Sequence, residues 1–306
     1  MKSYYAAGKV MLIGEYAVKL GIEALALPVR KGQHLRVWEY DSPSEDSFIY
    51  QAFDNDGARF VELQLKLPFS AADFESNDDS RFIRQALALT PPSFWKEGKS
   101  YRFETQLEFD RSSGWGSSST FVALWARATG MDAQQLQKVL LGGSGYDVAV
   151  AELGKPLVFW IRDDQPHWDT WSLNSDWTQE WMLLSPGKKV DSRKSMEEVA
   201  KALEAMAEDP FLMGQLQKMV DALKNAGQKA MLESGLEWWQ ALLASQIGLL
   251  TPYQQLNLTP VKGGLCKWLG AWGGDTLLVN QTFYQAHEAS LGAWQKWAWN
   301  DIAINE

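Results

Sequence analysis

Cysteine and histidine are scarce in this chain. One cysteine, Cys266, excludes an intramolecular disulfide framework, and it suits a reducing compartment. The three histidines, His34, His167 and His287, lie too far apart in sequence to suggest a histidine-based metal cluster. Long apolar runs are missing as well. Met11–Ile13 is followed at once by Gly14 and Glu15, which is too short for a secretory leader. The longest uncharged stretch, Trp238–Val261, contains Gln240, Gln246, Pro252, Gln254, Gln255 and Asn257. A stretch so polar does not suit ~30 Å of hydrocarbon, so a soluble, cytoplasmic protein without a membrane partner is expected. Basic residues are in deficit: 29 Lys+Arg against 38 Asp+Glu leave a net charge of −9. That balance argues against nucleic acid or an anionic membrane surface as the main partner. No repeat of fixed period and no low-complexity tract interrupts the chain.

What remains is a chain of 306 residues with 16 tryptophans. At roughly 100–200 residues per domain, the length suggests two domains. The first third reads as strand. Ser47–Phe53 has strand composition, Phe60–Leu67 and Tyr101–Phe109 alternate polar with apolar, and Asp54–Gly57 (DNDG) is a hairpin turn. The character changes after about Ser172. Trp181–Ser185 is a short apolar strand ended by Pro186-Gly187. Ser195 then reads as the N-cap of a helix to Glu208 with Val199, Leu203 and Met206 on one side. Phe211–Ser234 continues the helical period, and a third helix is expected over Leu236–Leu249. Strand composition returns at Val261. The segment Arg162–Asp169 (RDDQPHWD) suits a linker, which places a boundary near residues 165–178.

The most informative segment is Asp110–Thr120, DRSSGWGSSST. It follows an expected strand and precedes Phe121–Thr129, which is compatible with a helix. In that context Gly114 and Gly116 let the backbone approach an anion. Serine hydroxyls can donate to phosphate oxygens or ligate Mg²⁺, and the helix start offers unpaired N–H groups. No Gly-Lys-Ser/Thr is present, so this is not a Walker A loop. Read alone, it is equally a serine-rich turn.

Two further glycine motifs flank it in order: Ala7–Leu20 (AGKVMLIGEYAVKL) and Lys262–Asp275 (KGGLCKWLGAWGGD). With GWGSSST between them, the sequence resembles the GHMP kinase superfamily, which shares motifs like PGK-x-x-x-x-GEY/H-A-V, GLGSSA and GAGGG. The three together span nearly the whole chain. The resemblance implies an α+β fold in two parts. Residues 1–170 would form a ribosomal protein S5 domain 2-like ATP-binding domain, and residues 171–306 a ferredoxin-like domain, with ATP, Mg²⁺ and a small-molecule acceptor bound between them. It leaves the oligomeric state open, monomer or homodimer.

Site residues follow motif by motif. Gly142–Leu153 (GGSGYDVAVAEL) resembles the Gly-x-x-Asp-x-Ala segment of mevalonate and phosphomevalonate kinases, so Asp147 is the implied catalytic carboxylate and Ser144 an implied acceptor contact. On the residues alone, the simpler reading is that Asp147 caps the helix through Val148–Leu153. Lys9 is the implied cation for the transferred phosphoryl group. Gly114, Gly116, Ser117, Ser118, Ser119 and Thr120 would hold ATP, with Ser118 the contact to Mg²⁺. Glu15, Tyr16, Gly270, Gly273 and Gly274 would line the acceptor side. The basic run after Trp181–Ser185 adds Lys188, Ser192 and Arg193 as contacts for an acceptor phosphate. Tyr16, where mevalonate kinases carry His, and the Gly-Gly-Asp ending at Asp275 lean toward the phosphomevalonate kinase branch.

Departures from the pattern keep other readings open. Ala7 replaces Pro, Trp115 a leucine, Ser119 an alanine and Trp272 a glycine. The stretch Gln134–Leu141 carries no acid where mevalonate kinases have a metal-binding Glu. The acceptor could instead be mevalonate or another hydroxylated metabolite, or the chain could be a catalytically silent ligand-binding homologue.

Overall fold

A computed structural model describes residues 1–41, 46–75, 80–187, 192–270, 272 and 276–306; the side chains of 192–196 lie outside the description. In chain order the strands are β1 (Lys2–Ile13), β2 (Ala24–Asp41), β3 (Ser47–Phe53), β4 (Arg59–Lys66), β5 (Lys99–Leu107), β6 (Leu157–Arg162), β7 (Gln165–Thr170), β8 (Trp181–Ser185), β9 (Cys266–Leu269), β10 (Thr276–Asn280) and β11 (Gln295–Ala298). The helices are α1 (Arg81–Leu89), α2 (Ser117–Thr129), α3 (Ala133–Leu140), α4 (Tyr146–Leu153), α5 (Ser192–Ala207), α6 (Pro210–Lys224), α7 (Lys229–Ile247), α8 (Pro252–Gln255), α9 (Gln281–Ala286), α10 (Glu288–Leu291) and α11 (Trp299–Ile302). None of them, among the described residues, is long and apolar enough to cross a membrane.

The chain divides into two compact units, and neither is a continuous stretch. The first comprises Met1–Gly8, Lys31–Arg111 and Gly116–Gly154; the second comprises Lys9–Arg30, Ser112–Trp115 and Lys155–Glu306.

In the first unit the strands run β4-β3-β5-β2, with β3 and β5 parallel and the other pairs antiparallel. The alternation read from the sequence is the cause. Along β4, Val61, Leu63 and Leu65 point inward while Glu62, Gln64 and Lys66 are exposed. The DNDG segment closes the β3–β4 hairpin, with Gly57 at φ 84° donating to the Asp54 carbonyl at 2.9 Å. Buried side chains of these strands and of α1–α4 merge into one apolar cluster.

The second unit holds the first part of β2, paired through Ala24–Ala26 with β6, which pairs with β7. It also holds a four-stranded antiparallel sheet in the order β11-β8-β10-β9. Helix α7 packs on β9, and α5 and α6 pack on α7.

Three expectations are corrected here. The segment read as a linker is the β6–β7 hairpin: Asp163 and Asp164 take φ of 52° and 56°, the left-handed pair that a two-residue turn between twisted strands requires. The helix expected from Ser195 starts at Ser192, since no glycine or proline breaks the preceding turn. The helix expected over Phe211–Ser234 ends at Lys224, and a new one starts at Lys229. Asn225 closes the first by donating from Nδ2 to the Asp221 carbonyl at 2.8 Å, and Gly227 follows. The inward positions were nonetheless correct: Leu212, Leu216, Val220 and Leu223 are all buried.

Candidate functional site

The glycine-serine loop leads from β5 into α2. Gly114 and Gly116 have φ of 71° and 87°, conformations that side chains resist. Gly116 is the N-cap of α2 and supplies no side-chain acceptor, so the helix begins without a side-chain cap. Its first-turn N–H groups and the positive end of the helix dipole therefore face whatever lies before the helix. The hydroxyls divide into two kinds. Ser119 donates to the Gly116 carbonyl at 2.8 Å, and Thr120 donates to Gln33 Oε1 at 2.7 Å; both side chains are buried and hold the helix start. Ser118 is exposed and Ser117 half-buried on the same turn.

Asp147 lies one helix away in the same unit. It is in the first turn of α4, whose N-cap is Gly145 at φ 88°, and α4 packs on α2. Asp147 is half-buried, and its Oδ1 accepts the Val148 N–H at 3.0 Å. The loop before it, with half-buried Ser144, is clasped from α3. Gln134 donates to the Gly145 carbonyl at 3.3 Å, and Gln137 donates to the Gly142 carbonyl. A Cβ on Gly145 would lie 2.3 Å from Gln134 Oε1, so the clasp depends on that glycine. The stretch without an acid thus has a structural occupation of its own.

The second unit gathers the other motifs. Half-buried Lys9 donates its Nζ to the Gly114 carbonyl at 3.0 Å, and its backbone N–H to the Trp115 carbonyl at 2.9 Å. The first motif is thereby fastened to the start of the glycine-serine loop. Downstream, Gly14 has φ 105°, and a Cβ there would lie 2.3 Å from that of Ala24. Glu15 is buried. One carboxylate oxygen pairs with the fully buried ammonium of Lys267 from β9, and the other accepts the Trp239 indole N–H at 2.9 Å. Tyr16 follows at φ 58° and ψ −47°, unusual for a bulky residue. Its hydroxyl accepts the backbone N–H of Trp272 at 3.1 Å. Gly270 ends β9 at φ 79°. The two tryptophans that depart from the motif patterns, Trp115 and Trp272, are both buried. Trp115 packs on Trp297 with ring centroids 5.0 Å apart, and the Trp272 indole donates to the Leu250 carbonyl at 2.6 Å.

Lys188, Gly273 and Gly274 lie outside the described residues. Ser192 and Arg193 are the first two residues of α5, and their side chains lie outside the description. Sequence reasoning missed Lys267, Trp239, Gln134 and Gln137. A signal for Lys267 existed: a lone lysine between apolar neighbours in LCKWL, where a strand faces inward on both sides. Gln134 and Gln137 carry no such signal, because an amide at helical spacing is ordinary.

Among the described residues, no group of three or more His, Cys, Asp or Glu could hold a metal. A Mg²⁺ ion does not require such a group, because it keeps waters and shares substrate phosphates with one or two protein oxygens. The Ser118 hydroxyl and the Asp147 carboxylate, on neighbouring helices, are oxygen donors of that kind.

No family model matches the chain, and no curated protein matches it. Solved structures do match. Methanococcus jannaschii mevalonate kinase is 16% identical with a TM-score of 0.67, over 100% of this chain and 98% of that one. Streptococcus pneumoniae phosphomevalonate kinase, in complex with phosphomevalonate and AMPPNP, is 16% identical with a TM-score of 0.67, over 100% and 99%. Lactococcus lactis galactokinase, complexed with galactose, is 11% identical with a TM-score of 0.66, over 100% and 94%. At these identities the likeness is one of fold, and it runs the length of the chain: this is the fold of the GHMP kinases.

Proposed function

We propose that the chain is a GHMP kinase that moves the γ-phosphoryl group of ATP onto a small acceptor, with phosphomevalonate first among the candidates. The observation that carries this is the seating of Lys9 on the Gly114 carbonyl, three residues before α2 begins without a side-chain cap. A cation and a row of backbone donors at one glycine loop suit a polyphosphate and have little use in a plain turn.

In this reading the loop N–H groups and the hydroxyls of Ser117 and Ser118 bind the triphosphate. The Ser118 hydroxyl and the Asp147 carboxylate would hold Mg²⁺, which would supply positive charge to the phosphates. Asp147 orients the acceptor and takes its proton, if it carries one, as its oxygen bonds to the γ-phosphorus and the bond to the bridging oxygen breaks, releasing ADP. Lys9 offsets the charge that spreads over the transferred group. Tyr16, in place of the mevalonate kinases' His, favours phosphomevalonate as acceptor.

The test is ADP release from Mg-ATP with mevalonate, phosphomevalonate, homoserine and simple sugars. Turnover is expected with phosphomevalonate. No turnover with any acceptor, together with no thermal shift on adding nucleotide, overturns the kinase reading in favour of a silent binder. Asp147→Asn is expected to keep the fold and lose about 10²–10⁴-fold in turnover; full activity in that variant removes Asp147 from the reaction.

A further inference from the structure

The first and third motifs are tied together by a chain of contacts within the second unit. It starts at Lys267, whose side chain is 0% exposed on β9 and bonds to Glu15 and to the Trp268 carbonyl at 2.9 Å. Glu15 is also held by the Trp239 indole N–H. The next residue, Tyr16, sits in the strained turn that follows Gly14: the Ala17 N–H turns back to the Glu15 carbonyl at 2.5 Å, and the Val18 N–H to the Gly14 carbonyl at 3.0 Å. The Tyr16 ring is buried, and its hydroxyl ends on the Trp272 N–H.

Burying a lysine and a glutamate together gains little stability, because desolvation offsets most of their attraction, and an uncharged pair of similar shape is often as stable. A strained backbone at a bulky residue persists only where its surroundings over-determine it. Here the surroundings are the Lys267–Glu15–Trp239 network on one side and the hydroxyl bond to Trp272 on the other. We infer that Lys267 is a positioning residue: through Glu15 it holds Tyr16 in the strained turn, and Tyr16 in turn holds the backbone of Trp272 in the third motif. Tyr16 therefore holds the backbone at Trp272, and its hydroxyl is engaged by that N–H. The latch itself stands on contacts alone; its effect on an acceptor rests on the kinase reading above.

Hydrogen exchange separates the two. In Tyr16→Phe, exchange of the peptide containing Trp272 is expected to quicken by about 2–10-fold, the loss of one hydrogen bond, while peptides from α6 and α7 stay as they were. Unchanged exchange at Trp272 overturns the latch, whether or not the protein proves to be a kinase. Lys267→Met leaves Glu15 buried without its cation, and this variant is expected to lower the melting temperature. The double variant Glu15→Gln with Lys267→Met removes both charges, and it is expected to recover most of that loss while Trp272 still exchanges fast. Recovery of both stability and Trp272 protection would show a structural pair with no positioning role, and would overturn the inference. If the wild type turns over an acceptor, the double variant is expected to raise the acceptor KM more than it lowers kcat; equal effects on both would speak against positioning. A wild type without turnover removes the kinase reading and leaves the exchange result to decide the latch.

Discussion

Tryptophan works differently in the two units. In the first, Trp95 and Trp125 belong to an aromatic pile. Phe48 meets Phe69, Trp95, Phe103 and Trp125 with centroids 5.5–6.4 Å apart, in T-shaped pairs. In the second, Trp181, Trp239, Trp268, Trp272 and Trp299 are buried, and each donates its indole N–H to a specific acceptor: Glu233, Glu15, Gln255, the Leu250 carbonyl and Asn305. Charge follows the same division, since among the described residues the buried Lys267–Glu15 pair lies in the second unit. An aromatic pile stabilises by area and tolerates rearrangement, whereas a polar interior stabilises less and fixes one arrangement, because every alternative leaves a donor or acceptor unmet. The chain places the second kind of interior beneath its first and third motifs.

Three measurements would break or sharpen that contrast, all by urea denaturation. The largest effect is expected from Trp125→Ala, which empties the middle of the pile and is expected to cost about 3–5 kcal/mol. Next comes a matched pair. Trp239→Phe keeps a six-membered aromatic ring and removes the donor to the Glu15 carboxylate, at about 1.5–3 kcal/mol. Trp125→Phe removes a donor to the neutral Thr90 hydroxyl, at about 0.5–1.5 kcal/mol. If Trp125→Phe costs as much as Trp239→Phe, the distinction between filler and donor is lost.

The smallest effect concerns Glu237 on α7, which accepts the Cys266 N–H and the Tyr253 hydroxyl. Burial pushes its carboxyl above the ordinary carboxylate range, against the pull of these two bonds. The folded protein therefore holds this proton more tightly than the unfolded chain does. Its contribution to stability is full below the ordinary carboxylate range and is lost as pH rises through the raised value. Glu237→Gln is expected to flatten that part of the pH profile, and an unchanged slope would exclude Glu237 as its source.

Much of the fold was readable because it rests on short-range periods. Strands β3, β4, β5 and β8 follow from alternation or apolar composition, α2 from the serine-glycine start, and the inward residues of α6 from their spacing. The motifs were readable for the same reason, since glycines at positive φ mark themselves within a few residues. What was not readable depends on partners far away. Asp163 and Asp164 form a tight turn only because β6 and β7 pair; the same residues unpaired would be the linker they resemble. Tyr16 sits at positive φ because the groups around it come from α7, β9 and the third motif. Nothing near it in sequence requires that conformation. Gln134 could be known as a clasp only once Gly145 lay against it.

The Glu15–Lys267 pair also has a place in time. Its members are 252 residues apart. At roughly 5–20 residues per second, a ribosome adds Lys267 roughly 13–50 s after Glu15. Throughout that interval the Glu15 carboxylate lacks the Lys267 ammonium. The turn that carries Tyr16 can therefore be set only after β9 has been made, and a chain halted before β9 leaves the ribosome with its first motif unfinished.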